Sequence, residues 1–335
     1  MDVRSVGIAG IGTFVPKNVL TNADMEKMVD TNDEWIVTRT GIRERRKVDE
    51  GTTTSDLCME AARRALANAK VKAEDLDLII VATVTPDYSF PATACLVQAR
   101  LGAVKAAAFD LSVGCAGFIY ALATGSRFIA SGMYDKVLII GADTLSKITD
   151  FTDRSTCILF GDGAGAAVLT PAEAGKGILA FELGSQGDEE KLLVLPGGGS
   201  RFPASEETVR GRQHYIKMAG SEVFKFAVRI MAEASARCLD KAGLSASDVD
   251  ILVPHQANLR IIESAMKRLD IDRDKVLVNV DRYGNMSAAS IPVALDEALQ
   301  AGKIKDGATL LMVGFGAGLT WGACALKWFP SKEES

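Results

Sequence analysis

Histidine is scarce in this 335-residue chain, which contains only two, His214 and His255. Its six cysteines form no Cys-x-x-Cys pair, and no His-Glu-x-x-His motif occurs. Structural zinc sites and zinc peptidases need such clusters of ligands, so we expect no bound metal. Cysteines without a framework spacing also indicate a reducing compartment.

Long apolar runs and a secretory leader are missing as well. The segment Met1–Gly7 shows no basic stretch followed by an apolar core, and no apolar run approaches the roughly 20 residues of a membrane span. The formal net charge of -5 argues against a nucleic-acid-binding protein. We therefore expect a cytoplasmic protein that binds neither membranes nor nucleic acids.

The glycine-rich segments do not match nucleotide-binding loops. Gly161-Asp-Gly-Ala-Gly165 continues into a strand pattern, whereas a dinucleotide-binding fingerprint opens a helix. No segment ends in Gly-Lys-Ser/Thr, as a phosphate-binding P-loop does. We therefore expect no cofactor.

Apolar patterning predicts an α/β fold with a buried parallel sheet. With 48% hydrophobic and 24% charged residues, the chain is able to form a large core. Helical periodicity is predicted over 53–70 and 92–101, and apolar strand patterns over 3–12, 76–83, 106–111 and 137–141. This alternation of strands and helices is typical of crossover connections.

An internal repeat divides the chain. Ala73–Ile80 matches Ala246–Val253, and Val137–Gly141 matches Leu310–Gly314, both displaced along the chain by the same offset. Two matches at one offset predict two similar α/β halves packed together, which we assign to residues 1–172 and 173–335. Between the repeated segments, 193–212 is predicted to be a long exposed loop or a cap.

Cys115 is the candidate nucleophile because of its position. It stands where an apolar strand pattern turns through Gly114 into a helix pattern, and a helix N-terminus favours a thiolate. Glycines on both sides, Gly114 and Gly117, would let a substrate approach closely. The alternative is a small buried hydrophobe, which the other five cysteines, within apolar runs, resemble more closely: Cys58, Cys95, Cys157, Cys238 and Cys324.

His255 and Asn285 also follow predicted strands, over 249–254 and 276–280. Ligands bind at the carboxyl ends of strands in α/β sheets, so Cys115, His255 and Asn285 are expected to meet there. A thiol, an imidazole and a carboxamide suit acyl transfer to carbon and equally a Cys-His-Asn hydrolase. His214, in the polar run 210–215, is expected to be a solvated surface residue.

Five segments carry a family resemblance: Asn32–Arg45, Cys115–Phe118, Phe160–Val168, Val253–Ile262 and Gly284–Ser290. In these segments the chain resembles the β-ketoacyl-acyl-carrier-protein synthase III family of thiolase-fold condensing enzymes. The resemblance spans essentially the whole chain. It implies a thiolase-like fold, in which duplicated halves form a five-layered αβαβα sandwich.

The resemblance also implies a decarboxylative Claisen condensation that starts fatty acid biosynthesis. Cys115 would take the acyl group of a short acyl-CoA, with acetyl-CoA as the expected primer. Malonyl carrier protein would then lose carbon dioxide and attack the acyl group, giving a 3-oxoacyl carrier protein. His255 and Asn285 would donate to the enolate oxygen, and the backbone amides of Cys115 and Ala317 would form the oxyanion hole.

Further contacts follow from the same resemblance. Trp35 and Arg154 would enclose the CoA adenine, with Arg39 and Thr40 nearby and Asn258 along the pantetheine tunnel. Phe90 would close the acyl pocket across the interface of a homodimer. Acyl carrier protein would dock on Lys225, Gln256, Ala257, Asn258, Leu259, Arg260, Lys267 and Arg268.

Rival functions remain open at this point. A degradative thiolase needs a second catalytic cysteine in the final glycine loop, and Phe315–Gly318 has none. A hydroxymethylglutaryl-CoA synthase needs a glutamate near the nucleophile, and none stands beside Cys115. A carrier-protein-binding subunit without activity would not need the three candidate residues, and a hydrolase would form no carbon-carbon bond.

Overall fold

The computed structural model describes residues 4–187 and 192–329. In these ranges the strands are β1 Ser5–Phe14, β2 Asn18–Thr21, β3 Glu44–Lys47, β4 Leu78–Ala82, β5 Ala107–Leu111, β6 Val137–Thr144, β7 Asp162–Ala172, β8 Gly177–Ser185, β9 Leu193–Val194, β10 Lys217–Met218, β11 Ile251–Pro254, β12 Thr309–Gly316 and β13 Thr320–Lys327. Most of the predicted strands are therefore present.

The helices of the described residues are α1 Asn22–Glu26, α2 Asp33–Thr40, α3 Thr54–Ala69, α4 Thr93–Leu101, α5 Gly117–Ala130, α6 Arg154–Cys157, α7 Glu206–Arg210, α8 Gly220–Lys241, α9 Leu259–Leu269, α10 Val280–Tyr283 and α11 Ser290–Gln300. The predicted start of α3 is confirmed, since Thr53 and Asp56 form a capping box. Cys157 is the last residue of the short helix α6. No helix in the described part of the chain is long and apolar enough to cross a bilayer.

The two large sheets are mixed, which corrects the prediction of a parallel sheet. The first has the order β1-β7-β6-β4-β5 and the second β11-β12-β13-β8. Parallel pairs occur where a helical crossover joins the strands, as α4 does between β4 and β5. Strand β7 returns beside β6 without a long crossover helix, so this pair is antiparallel.

Five layers result from the packing of helices on these sheets. Helices α3 and α4 cover the outer face of the first sheet, and α8 with α9 covers the outer face of the second. Helices α5 and α11 lie between the sheets. One apolar core includes Leu122 of α5, Leu295 of α11 and residues of both sheets. The predicted αβαβα sandwich is confirmed.

The internal repeat extends to local structure. Short 3-10 turns at Ala73–Asp75 and Ala246–Asp248 occupy matching positions, as do Gly114–Ala116 and Ser287–Ala289. Each member of the second pair leads into a central helix, α5 or α11. All strands of the first sheet lie within 5–172 and all of the second within 177–327. The exact division at residue 172 stays a prediction.

The predicted strand over 276–280 is wrong. Only Val276 makes a strand-like bridge, with Leu252, and helix α10 begins at Val280. The amides of Asn279 and Val280 donate to the side-chain oxygen of Gln256, at 2.9 and 3.2 Å. A side chain distant in sequence therefore satisfies the backbone donors that a strand ladder would have used.

The central layer is expected to stabilise the fold strongly. Leu122 is fully buried, so Leu122→Ala removes apolar contacts and leaves a cavity, lowering the free energy of unfolding by about 2–5 kcal/mol. Urea denaturation measures the change. Met133→Ala is the control, because Met133 is 62% exposed, and its effect should stay within about 0.5 kcal/mol. Equal effects of the two substitutions would contradict this assignment of the core.

Candidate active site

Cys115 lies in the turn between strand β5 and helix α5, against the loop that follows β12. Gly114 has a φ of +57°, and a Cβ on it would lie 2.7 Å from the Ala317 nitrogen. A Cβ on Gly316 would lie 2.4 Å from the Cys115 nitrogen. Only glycine permits this approach, which brings the backbone of Cys115 next to that of Ala317, as the predicted oxyanion hole requires.

The Cys115 thiol lies beneath the surface, although the residue as a whole is half-buried. Burial raises the pKa of this thiol to about 12. The nearby Ser287 hydroxyl lowers this pKa and the Asp143 charge raises it, both by less than burial. The sequence predicts a thiolate favoured by the helix N-terminus. In the structure burial shifts this pKa in the opposite direction, and with a pKa of about 12 the resting group is a neutral thiol.

His255 follows strand β11 directly and is only 1% exposed. Its backbone N–H donates to Val313 O at 2.7 Å, and its ring meets the ring of Phe315 edge-on at 5.7 Å. Burial lowers the pKa of the imidazole to about 3, so the ring is neutral near pH 7. Neither ring nitrogen has a hydrogen-bond partner. The ring therefore has one N–H that is free to donate to a ligand.

Asn285 is held by backbone contacts on both sides. Its N–H donates to Leu159 O at 2.8 Å, and its carbonyl accepts from the Gly161 N–H at 2.9 Å. Its side-chain Oδ1 accepts from the Ser287 N–H at 2.8 Å. Because Oδ1 is engaged there, the Nδ2 group is the end of the carboxamide left to donate to a ligand.

Two cavities meet at Cys115. The first, about 90 Å³, is lined by Cys115, His255, Asn285 and Asn258 and is called the His–Asn cavity here. The second, about 340 Å³, also reaches Cys115, and we call it the apolar cavity. Its other lining residues are mainly hydrophobic: Val84, Leu145, Ile148, Phe160, Leu193, Val194, Leu195 and Ile216. A nucleophile at this junction contacts both spaces.

The segment 192–218 covers the apolar cavity. Strands β9 and β10 pair as a small ribbon, and Leu193, Leu195 and Ile216 line the cavity. The segment is held to the body of the protein by an ion pair between Arg212 and Asp150. Of the two predicted alternatives, exposed loop or cap, the structure therefore favours a cap. His214 within it is half-buried, with Nε2 2.9 Å from the Thr208 hydroxyl, and lines neither cavity.

The residues predicted to bind CoA lie close to each other in a cluster around Trp35, which is called the rim here. The Arg39 and Arg154 guanidinium carbons lie 5.1 and 5.0 Å from the Trp35 ring centre. Asn258 Nδ2 donates to Arg39 O at 3.0 Å, which links this rim to the His–Asn cavity. Thr40 is buried, and its hydroxyl donates to Ile36 O and accepts from Ile42 N–H. A CoA contact through the Thr40 hydroxyl is therefore disfavoured.

The predicted carrier-protein surface is supported in part by exposure. Four basic side chains are exposed: Lys225, Arg260, Lys267 and Arg268. The Arg260 guanidinium stacks over the Phe224 ring at 5.2 Å. Ala257 and Leu259 are half-buried, and a Cβ on Gly41 would lie 2.5 Å from the Leu259 Cβ.

Gln256 does not belong to that surface, which corrects its assignment. It is fully buried, and its Nε2 donates to Pro254 O and Leu277 O at 2.8 and 3.1 Å. Its Oε1 accepts from the Asn279 and Val280 amides. A docked protein has no access to this side chain, which instead ties the His255 loop to the segment that leads to Asn285.

Phe90 is 85% exposed and lines neither cavity. A contribution of Phe90 to an acyl pocket therefore requires a second copy of the chain, and stays a prediction.

Sequence reasoning gave no role to Asp143 or Ser287, which lie beside Cys115. The repeat contained a signal for Ser287, since its offset pairs this serine with Gly114, the residue that shapes the nucleophile turn.

Comparisons with known families and proteins identify chains that are similar to this one. The family described as 3-oxoacyl-[acyl-carrier-protein (ACP)] synthase III matches residues 109–187, and its C-terminal domain matches 239–328. A protein of Desulfitobacterium hafniense named beta-ketoacyl-[acyl-carrier-protein] synthase III is 62% identical over 324 residues, 97% of this chain and 98% of that protein. The protein of the same name from Clostridioides difficile is 56% identical, over 96% of this chain and 98% of that protein.

Solved structures give the same result. The crystal structure of 3-oxoacyl-[acyl-carrier-protein] synthase III from Aquifex aeolicus superposes with a TM-score of 0.89 at 50% identity, covering 97% of this chain and 100% of that chain. The synthase III from Thermus thermophilus gives a TM-score of 0.90 at 49% identity, with the same coverage. High identity over nearly the full length of both partners, together with the shared fold, shows that the chain belongs to the β-ketoacyl-[acyl-carrier-protein] synthase III family of condensing enzymes.

Proposed function

We propose that Cys115 is the residue on which this enzyme carries the acyl group between the two halves of its reaction. As a β-ketoacyl-[acyl-carrier-protein] synthase III, the enzyme condenses an acyl-CoA with malonyl carrier protein and so initiates fatty acid synthesis. The observation that carries the assignment is that Cys115 lines both the His–Asn cavity and the apolar cavity. An acyl group on its sulfur reaches a space for its chain on one side and the donors on the other.

In the first half-reaction the Cys115 sulfur attacks the thioester carbonyl of acyl-CoA. The new Sγ–C bond forms as the C–S bond to CoA breaks, and CoA leaves. The apolar cavity takes the acyl chain, while the rim of Trp35, Arg39 and Arg154 binds the nucleotide end. We propose short acyl-CoA primers, with acetyl-CoA as the expected one.

In the second half-reaction the malonyl group of malonyl carrier protein enters the His–Asn cavity. Its terminal carboxylate leaves as carbon dioxide, and the negative charge moves onto the thioester oxygen. His255 and the Nδ2 group of Asn285 donate to that oxygen, in a buried site where such bonds are strong. The resulting carbanion attacks the acyl group on Cys115, whose oxyanion accepts from the Cys115 and Ala317 amides. Release of the sulfur gives the 3-oxoacyl carrier protein.

We further propose that the enzyme acts as a homodimer. Tyr88 and Phe90 are 60% and 85% exposed, although large apolar side chains are normally buried, and β5 is an edge strand of the first sheet. A second copy seated on this surface would cover these rings and bring its Phe90 to the apolar cavity. In each copy the acyl pocket would then be completed by the partner.

Acyl transfer to Cys115 is tested by intact mass after incubation with a panel of acyl-CoAs. We expect one acyl group per chain, located on Cys115 by peptide mapping, because only this thiol lies at the junction of the cavities. Cys115→Ser should be acylated far more slowly, since a hydroxyl is a weaker nucleophile. Cys95→Ser, which removes an exposed thiol elsewhere, is the control and should react normally. A label on another cysteine would contradict the assignment.

The enolate donors are tested by separating the half-reactions. His255→Ala or Asn285→Ala should slow malonyl decarboxylation on the order of 100- to 1000-fold, the usual effect of losing one oxyanion donor. Acyl transfer to Cys115 should fall less. Because the pKa of His255 is lowered to about 3, wild-type decarboxylation should show no loss of rate from imidazole protonation near pH 6.5. Equal losses in both half-reactions would contradict the assignment of His255 and Asn285 to decarboxylation. Release of a product that does not depend on malonyl carrier protein would indicate a hydrolase.

Carrier-protein docking is tested at Arg260, an exposed residue at the start of α9. Arg260→Glu should raise the KM for malonyl carrier protein about tenfold at low salt, because it replaces attraction to an acidic partner by repulsion. It should also weaken the salt dependence, while acylation of Cys115 by acyl-CoA stays within a few-fold. Arg63→Glu on the opposite outer layer is the charge-matched control. Unchanged carrier-protein kinetics in Arg260→Glu would exclude this residue from the docking site.

A further inference from the structure

Two buried polar atoms beside the nucleophile have no hydrogen-bond partner. They are Oδ2 of Asp143, on strand β6, and the hydroxyl oxygen of Ser287, in the 3-10 turn before α11. Asp143 is 0% exposed and Ser287 is 2% exposed. Unpartnered polar atoms at this depth destabilise a fold, so their presence here calls for a functional reason. The two half-reactions described above use neither of them.

Ser287 has a backbone conformation that serine rarely adopts. Its φ is +47°, in the left-handed region. The residue at the repeated position in the first half of the chain is Gly114, with a φ of +57°. The same turn is therefore made once with glycine, which adopts it readily, and once with serine, which is strained there. Strain that glycine would remove indicates that the hydroxyl is retained for its chemistry.

The Asp143 carboxylate is oriented by four donors on a single oxygen. Its Oδ1 accepts from the Thr83 hydroxyl at 3.0 Å, the Val84 N–H at 2.8 Å, and the N–H and hydroxyl of Thr85 at 3.2 and 2.9 Å. These bonds fix the plane of the carboxylate and stabilise its charge. Oδ2 is left as the oxygen that is able to take a proton.

Ser287 links this carboxylate to the nucleophile. The turn that contains Ser287 packs on strand β6, where a Cβ on Gly141 would lie 2.3 Å from Ala288 O. The Ser287 hydroxyl lowers the pKa of both the Cys115 thiol and the Asp143 carboxyl, and it is hydrogen-bonded to neither of them in the resting enzyme. Ser287 and Cys115 also line the apolar cavity together. We propose that Ser287 accepts the proton of the Cys115 thiol during acyl transfer and passes its own hydroxyl proton to Oδ2 of Asp143. Asp143 receives this proton only through Ser287.

The relay rests on the proposed role of Cys115 and solves a problem that burial creates. A neutral thiol has to lose its proton as Sγ bonds to the acyl carbon, and the resting thiol is neutral because its pKa is about 12. The proton moves to Asp143 while CoA leaves as a thiolate and takes a proton from solvent. When condensation later releases the Cys115 thiolate, the stored proton returns through Ser287. Protons therefore balance over one turnover.

The other titratable groups around the pair do not compete for this role. Burial raises the pKa of Asp143 above its ordinary range, which suits a proton acceptor. Cys58 on α3 faces Asp143 from the other side, and burial raises the pKa of that thiol well above its usual range, so it stays neutral. His255 is neutral as well, because burial lowers its pKa to about 3. Among these groups Asp143 is the one whose charge raises the pKa of the Cys115 thiol.

The test uses Ser287→Gly and Asp143→Asn in the full chain. Glycine removes the hydroxyl, fits a φ of +47° and retains the amide that holds Asn285. Asparagine keeps an oxygen for the four donors and loses the proton acceptor. Single-turnover acylation by acetyl-CoA is followed by intact mass between pH 6 and 9. We expect both variants to be about 100-fold slower at pH 7, the range for losing a proton acceptor.

The pH profile separates a relay from a structural role. Without the relay the reaction depends on the small fraction of free thiolate, so the variant rates should rise roughly tenfold per pH unit, while the wild-type rate stays nearly flat. The Asp143 charge raises the pKa of Cys115, so Asp143→Asn without a relay would form thiolate more easily and react faster. A faster Asp143→Asn, or a Ser287→Gly enzyme with the wild-type profile, would overturn the proposal.

Controls separate this proposal from the function on which it rests. Ser235→Ala removes another fully buried, unpartnered hydroxyl, on α8, and should leave the acylation profile unchanged. Alkylation of Cys115 by iodoacetamide gives a second readout that needs no acyl-CoA, and it should show the same slowing and slope in both variants. If acetyl-CoA fails to acylate the wild-type enzyme, the assignment of Cys115 fails. If wild type is acylated and the variants match it in both reactions, the relay fails alone.

Discussion

The close approach of two loops at the centre of the sandwich is the constraint on which the site depends. The turn through Gly114 and the loop through Gly316 pack so tightly that a Cβ on either would clash with the backbone of the other. A third contact repeats this, since a Cβ on Gly141 would lie 2.3 Å from Ala288 O. These glycines let β6, β12 and both central helices converge, which places Cys115 beside Ala317 and Ser287.

Burial at this point changes the chemistry of each group in a consistent direction. It raises the pKa of Cys115 to about 12 and lowers that of His255 to about 3, so both are neutral at rest. Neutral donors in a buried site interact strongly with charge that develops during a reaction, because the protein surroundings screen that charge weakly. The same burial makes the first charge expensive to form. A site of this kind needs a defined path for protons.

Much of this arrangement was predictable from local sequence patterns. The internal repeat, helix α3 with its Thr53 cap, and the strand-to-helix turn at Cys115 follow from periodicity and spacing. The strand expected over 276–280 failed because Gln256, a side chain distant in sequence, takes the backbone donors of Asn279 and Val280. The antiparallel pairing of β7 and the burial of Gln256 also depend on tertiary contacts, which no local pattern contains.

Duplication explains why so many functional groups meet at one point. The central helices α5 and α11 each begin with an equivalent 3-10 turn, and the two turns lie against each other. At matching positions the first half has Ser112, Gly114 and Cys115, and the second has Asn285, Ser287 and Ala288. The first turn therefore supplies the nucleophile and the second the carboxamide and the hydroxyl. Each turn also packs on the sheet of the other half, the first against β12 and β13 and the second against β6 and β7, so the backbone of each half helps to position the functional groups of the other.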